Sequence, residues 1–135
     1  MTLARTDPQS QVSVISPMIG IVDDDPSILR ALQRLLRAAG FTVRTFGSAE
    51  ALLGSGLLDQ IHCLVLDIHL GGLNGFELQE LVAATHPRIP TIFITAFDDA
   101  PTRERARQAG AVDYLHKPFR ERALLVAINR ALDQP

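Results

Sequence analysis

The sequence is poor in cysteine, lysine and long apolar runs, and each shortage excludes a class of protein. Its one cysteine, Cys63, cannot form an internal disulfide, which favours a reducing compartment. Lys117 is the only lysine, the arginines are scattered and the net charge is -2. The sequence therefore contains no cluster of basic residues that would bind nucleic acid. No apolar run reaches the length of a membrane span or a signal peptide. We therefore expect a cytoplasmic protein that contacts neither membrane nor nucleic acid directly.

Five short apolar runs alternate with longer periodic segments from Met18 onward, which is typical of a parallel sheet with crossover helices. Because 135 residues suffice for a single core, we interpret residues 18–133 as one domain and residues 1–17 as a flexible extension. Strands are predicted at residues 18–22, 41–46, 63–66, 91–94 and 113–116. Helices are predicted from the Asp25 cap to Gly40 and at residues 48–53, 76–85, 102–109 and 120–132.

The third predicted strand, residues 63–66, is apolar without interruption, which predicts a central position in the sheet. Five right-handed βα units with helices on both faces cannot keep sequence order, so we expect a doubly wound sheet. The simplest strand order is 2-1-3-4-5, an α/β fold of the flavodoxin-like type. In that order strands one and three are neighbours at the point where the winding reverses.

Charged and hydroxyl side chains stand directly after four of the five predicted strands. Asp23 and Asp24 follow the first strand, Asp67 the third, Thr95 the fourth and Lys117 the fifth. In open α/β sheets these carboxyl ends form the ligand site, so we expect the five side chains to converge. Crowded carboxylates repel one another unless a cation is present, and oxygen ligands without His or Cys favour Mg²⁺.

A magnesium site of this kind favours a phosphoryl group, whose oxygens complete the coordination of the metal. The Lys117 ammonium can neutralise one phosphoryl oxygen and the Thr95 hydroxyl can donate to another. A carboxylate can act as nucleophile and form an aspartyl phosphate. Asp67 is the best-placed nucleophile.

These features resemble the response-regulator receiver domains of two-component signalling, also called CheY-like domains, over residues 18–132. The motifs that carry the resemblance are Val22-Asp23-Asp24-Asp25, Leu66-Asp67, Gly72, Gly75, Glu77-Leu78, Ile94-Thr95-Ala96, Ala109-Gly110-Ala111 and Lys117-Pro118-Phe119. The resemblance implies that Asp67 is the phosphoacceptor and that Thr95 and Lys117 bind the phosphoryl group. It implies that Asp23, Asp24 and Asp67 hold Mg²⁺ together with the backbone carbonyl of His69, with Asp24 as a direct ligand. A cis Lys117-Pro118 peptide bond is often found in this family.

The same resemblance implies a switch and its partners. Tyr114 falls where the family keeps its switch aromatic, which turns inward as the hydroxyl of Thr95 moves toward the phosphate. The phosphodonor is expected to be a histidine kinase or a phosphotransfer protein. The surface of helix four, strand five and helix five is expected to act on a downstream effector, with a phosphorylation-dependent homodimer left open.

Two family positions that tune the lifetime of the phosphate are His69 and Phe97 in this chain. We hypothesise that the bulky Phe97 ring slows hydrolysis by hindering water. One departure from the family is Gly71 followed by Gly72, where many members have Pro, so a looser loop is expected.

Three alternatives stay open. A magnesium-dependent phosphatase would need a general acid, usually an Asp two residues past the nucleophile, but His69 stands there. The chain could also be a phosphate-independent interaction module, or the receiver of a larger DNA-binding regulator. We favour a signalling switch over an enzyme with an external substrate: it would catalyse only its own phosphorylation and dephosphorylation.

Overall fold

A computed structural model describes residues 16–133 of the chain, so most of the predicted extension, residues 1–15, lies outside the described residues. The core of the fold is a five-stranded parallel sheet in the order β2-β1-β3-β4-β5. The strands are β1 (Met18–Val22), β2 (Thr42–Phe46), β3 (Cys63–Asp67), β4 (Thr91–Thr95) and β5 (Asp113–His116). The predicted fold class and strand order are both confirmed.

Five α-helices connect or follow these strands within residues 16–133. They are α1 (Pro26–Ala38), α2 (Ala49–Leu53), α3 (Gly75–Thr85), α4 (Ala100–Gln108) and α5 (Glu121–Leu132), with a short 3-10 turn at Leu58–Gln60. The sequence predicted α4 two residues too late, because the capping role of Asp99 was overlooked. The Asp99 side chain accepts a hydrogen bond from the Thr102 amide at 2.8 Å, and Pro101 fits the first turn because it needs no amide partner there.

Helix α1 begins and ends where its sequence signals place it. The Asp25 side chain accepts a hydrogen bond from the Ser27 amide at 2.9 Å, and Pro26 occupies the first helical position. Gly40 lies beyond the end of the helix with φ +97°, a left-handed conformation that favours glycine. These two signals fix where the chain leaves the carboxyl end of β1 and where it returns toward β2.

Two apolar layers sandwich the sheet. One layer packs α1 and α5 against it, with the buried residues Leu32, Leu36, Leu124 and Ile128. The other packs α2, α3 and α4, with the buried residues Leu52, Phe76, Leu78, Val82 and Ala106. Every residue of β3 and β4 is buried, which confirms the central position predicted for the third strand. Across residues 16–133, no helix has both the length and the apolar character needed to cross a membrane.

Candidate metal centre

Three carboxylates from two neighbouring strand ends meet at the carboxyl edge of the sheet. One oxygen each from Asp23, Asp24 and Asp67 can be chosen so that all three lie within 4.8 Å of one another. The pairing of Val22 with Leu66 aligns the ends of β1 and β3, which places the acidic residues that follow or end these strands side by side. Asp23 and Asp67 are buried, whereas Asp24 is exposed. The predicted convergence of these three residues is present in the structure.

Lys117 reaches the same cluster from the end of β5. Its ammonium donates to Oδ2 of Asp23 at 2.7 Å and to Oδ2 of Asp67 at 3.3 Å. The Lys117-Pro118 peptide bond is cis, as the resemblance led us to expect. The ammonium therefore bridges the two buried carboxylates and supplies part of the positive charge that their crowding requires.

Burial and neighbouring charges shift the pKa values of Asp67 and Lys117. Burial, followed by the negative charge of Asp23, raises the pKa of the Asp67 carboxyl, although the His69 amide and Lys117 lower it in part. Burial alone would lower the pKa of the Lys117 ammonium, but the hydrogen bond to Asp23 and the charges of both carboxylates outweigh it, so this pKa is raised. The site therefore favours a bound cation and keeps the lysine charged.

The side chains of this cluster suit magnesium. Its three carboxylates are hard oxygen donors, and the ligand group contains no imidazole or thiolate. Asp24 is exposed and so remains open to a hydrated ion, whereas the two buried carboxylates are already held in place. Receiver domains typically bind Mg²⁺ through an acidic pocket of this kind. The residues present thus fit the expected metal.

Thr95, at the end of β4, has its hydroxyl engaged by its own chain. The oxygen accepts from the Phe97 amide at 3.0 Å and donates to the Phe97 carbonyl oxygen at 3.2 Å. The residue is fully buried. Any new acceptor for this hydroxyl would have to replace the Phe97 carbonyl oxygen.

The two residues expected to tune phosphate lifetime, His69 and Phe97, contact each other. The His69 amide donates to Oδ1 of Asp67 at 3.1 Å, and its ring meets the Phe97 ring edge-on, with centroids 5.0 Å apart. Phe97 is 62% exposed, the largest exposure among the bulky apolar residues that the structure describes. The sequence predicted both positions but could not predict that they touch.

Tyr114 on β5 is half-buried and lies under Arg103 of α4. The guanidinium carbon of Arg103 is 5.8 Å from the ring centroid, and the same guanidinium donates to both carboxylate oxygens of Asp98 at 2.6 Å. The hydroxyl of Tyr114 is buried and has no hydrogen-bond partner within residues 16–133. Burial and the nearby charge of Asp98 raise its pKa. The pairing of Arg103 with Asp98 was not predicted from the sequence, because a five-residue spacing carries no recognisable signal.

A 2-1-3-4-5 sheet whose carboxyl edge gathers three aspartates, a threonine and a lysine defines a CheY-like receiver domain, a signalling module and not a classical enzyme. The family model for the response regulator receiver domain matches residues 19–129. The chain belongs to this family of two-component signalling, as the sequence led us to expect.

Named relatives and solved structures agree with this assignment. Nodulation protein W of Bradyrhizobium diazoefficiens is 44% identical over 117 residues, which are 87% of this chain and 52% of that protein. Response regulator protein TmoT of Ectopseudomonas mendocina is 41% identical over 130 residues, 96% of this chain and 57% of that protein. The BeF3-activated DrrB receiver domain superimposes with a TM-score of 0.81 at 31% identity, covering 89% of this chain and all of that one.

The chain spans about half the length of the curated relatives that it matches. One of them, 35% identical over 86% of this chain and 57% of its own length, is named transcriptional regulatory protein FixJ, from Bradyrhizobium diazoefficiens. Our expectation that the chain makes no direct contact with nucleic acid finds no support in such relatives.

Proposed function

We propose that this domain accepts a phosphoryl group on Asp67 and changes the surface formed by α4, β5 and α5 in response. The observation that carries the proposal is the approach of Asp23, Asp24 and Asp67 within 4.8 Å, with the Lys117 ammonium bonded to two of them. Such a group of charges gains stability when a metal ion and a phosphoryl group enter together.

In the proposed reaction the donor is a phosphohistidine of a sensor kinase or a phosphotransfer protein. A carboxylate oxygen of Asp67 forms a bond to phosphorus as the P–N bond to the donor imidazole breaks, and the electron pair of that bond returns to the imidazole. Asp23, Asp24 and the His69 carbonyl, with Asp67 itself, would hold Mg²⁺, which when bound neutralises phosphoryl charge. Lys117 would neutralise a second phosphoryl oxygen.

The proposed response begins at Thr95. Its hydroxyl would leave the Phe97 carbonyl oxygen, 3.2 Å away, and donate to the phosphoryl group, so the loop between β4 and α4 would shift. Tyr114 would then turn inward and change the surface that a downstream effector contacts. Phosphorylation adds roughly -1.5 to -2 charges, which provides the driving force.

Two finer points belong to the same proposal. Because Asp67 is followed two residues later by His69 and not by an acid, the only turnover we propose is hydrolysis of the domain's own aspartyl phosphate, tuned by Phe97 and His69. Because relatives such as TmoT are nearly twice as long and three relatives are named transcriptional regulatory proteins, we propose that the domain is the receiver of such a regulator. We propose that it works in the cytoplasm. A phosphorylation-dependent homodimer is compatible with that role.

Intact-mass measurement tests the proposal directly. We expect incubation of the chain with a small phosphodonor and Mg²⁺ to add the mass of one phosphate, and we expect no addition to Asp67→Asn or after chelation of the metal. An equal phosphate increment on wild type and Asp67→Asn would reject Asp67 as the acceptor.

A further inference from the structure

The loop between β3 and α3 has little backbone support of its own. We call residues 69–74 the acceptor loop, because it directly follows Asp67 and Ile68. Among the described residues, no amide of this loop donates to a backbone carbonyl. Its amides donate to side chains instead: His69 to Asp67 at 3.1 Å, Leu73 to Glu50 at 3.5 Å and Asn74 to Glu77 at 3.0 Å.

Of these three acceptors, only Glu50 belongs to a distant part of the fold. Asp67 is the residue the loop follows, and Glu77 belongs to the capping box of α3, the helix that the loop enters. Glu50 lies on α2, which is firmly held: Ala49 and Leu52 are fully buried, and Ser48 caps the helix through the Ala51 amide at 3.0 Å.

Gly72 shows how closely the Glu50 carboxylate lies against the loop. A Cβ atom at this position would stand 2.9 Å from Oε2 and 3.3 Å from Oε1 of Glu50. Gly72 therefore allows the approach because it lacks a side chain, not because of an unusual φ. The consecutive glycines that predicted a loose loop are, in the structure, the place where a side chain from α2 contacts the loop backbone.

We propose that Glu50 is a positioning residue that holds the acceptor loop, and with it the carbonyl oxygen of His69, in place for the metal. The inference rests on the proposed function, in which that oxygen is a Mg²⁺ ligand. Mg²⁺ requires a nearly ideal octahedral arrangement, so a loop that is free to move presents this ligand in the correct place less often. Glu50 does not touch the reacting atoms. It acts through the loop.

Calorimetric titration of the metal-free full chain with Mg²⁺ tests this role. We expect Glu50→Ala to weaken Mg²⁺ binding by about three- to tenfold, the ratio that one modest hydrogen bond corresponds to. Glu50→Gln keeps an acceptor oxygen and should restore most of the affinity. The matched control is Glu80→Ala, which removes the same charge from an exposed position on α3. The melting temperatures of all variants should stay close to that of the wild type.

A second substitution, at Gly72, tests whether the effect depends on the contact between Glu50 and the acceptor loop or only on the negative charge of Glu50. Gly72→Ala should weaken Mg²⁺ binding in the wild type, where its methyl group meets the Glu50 carboxylate, but not in Glu50→Ala, where that carboxylate is gone. Wild-type affinity in Glu50→Ala would overturn the inference, and so would Glu50→Gln binding as weakly as Glu50→Ala. If the wild type itself bound no Mg²⁺, the proposed function would fail first, which is a distinguishable result.

Discussion

Asp67 is a buried carboxylate beside another buried carboxylate, and this has consequences for stability. Its folded pKa lies above the unfolded value because burial and the charge of Asp23 disfavour ionisation. At neutral pH the charged form therefore reduces the free energy of unfolding. That cost begins to shrink as the pH falls through the folded pKa of Asp67, and it is gone only below the unfolded pKa, where the carboxyl is neutral in both states.

Asp67→Asn should for this reason stabilise the metal-free protein. At neutral pH and with chelator present, we expect its melting temperature to rise by a few degrees, since about 1 kcal/mol corresponds to roughly 4 °C in a domain of this size. The gain should shrink as the pH is lowered through the folded pKa of Asp67. Thermal melts over a pH series check this, and an Asn variant that melts below the wild type at neutral pH would contradict it.

Phe97 offers a second prediction for a single residue. Its exposed ring rests on His69 beside the acceptor, so we expect Phe97→Ala to admit water and to lose phosphate severalfold faster than the wild type. The decay of the phosphorylated mass with time measures this rate. Val126→Ala is the matched control, because Val126 is also an exposed apolar residue but lies on α5. Equal or slower loss in Phe97→Ala would refute the hypothesis.

Single residues show how far the sequence could predict the site. Asp23, Asp24, Asp67 and Lys117 could be predicted because each follows or ends a strand, and strand ends meet at one edge of the sheet. The contact of Glu50 with the acceptor loop could not be predicted, since it depends on the packing of α2 against the β3-α3 connection. Its only trace in the sequence is Gly72, which shows that something approaches closely but not what approaches.

At the scale of elements, α3 packs unusually close to the acceptor strand. A Cβ atom on Gly75, the first residue of α3, would lie 2.4 Å from the Asp67 carbonyl oxygen and 2.9 Å from the Ile68 Cα atom. Both neighbours are backbone atoms and cannot rotate away. Gly75, one of the residues that carry the family resemblance, is therefore required for steric reasons.

Gly75→Ala should push α3 away from β3. We expect a loss of about 1–3 kcal/mol in the free energy of unfolding, the usual cost of overpacking, together with weaker Mg²⁺ binding. Gly47→Ala is the control, because nothing lies within 4 Å of a Cβ atom there. Urea unfolding followed by circular dichroism measures both variants. Equal stabilities would show that the close approach at Gly75 is without consequence.

Elements were easier to predict than their ends. Each strand and helix was found because apolar periodicity is a strong signal, whereas the start of α4 was missed by two residues. A single hydrogen bond, which the Asp99 side chain accepts from the Thr102 amide, decides that boundary, and periodicity does not report on capping. The 3-10 turn at Leu58–Gln60 was also missed, because one turn is too short to show a period.

The whole molecule explains why residues far apart in sequence meet. Lys117 and Asp23 are 94 positions apart but are joined by a 2.7 Å hydrogen bond, because the carboxyl ends of the parallel strands share one edge of the sheet and the long Lys117 side chain extends along that edge. The alternation of strands and helices sufficed to predict this topology, because right-handed crossovers between parallel strands leave few other strand orders. Which effector recognises the surface of α4, β5 and α5 could not be predicted, because one fold serves many different partners.

We propose above all that this topology gives one carboxylate, that of Asp67, the role of phosphoacceptor. The most direct test is peptide mapping of the chain after treatment with a small phosphodonor and Mg²⁺, followed by hydroxylamine to convert the acyl phosphate into a stable hydroxamate. We predict a single modified residue, Asp67, and no modification when the metal is chelated. A hydroxamate on Asp23 or Asp24, or a modification that forms equally well without Mg²⁺, would contradict the account.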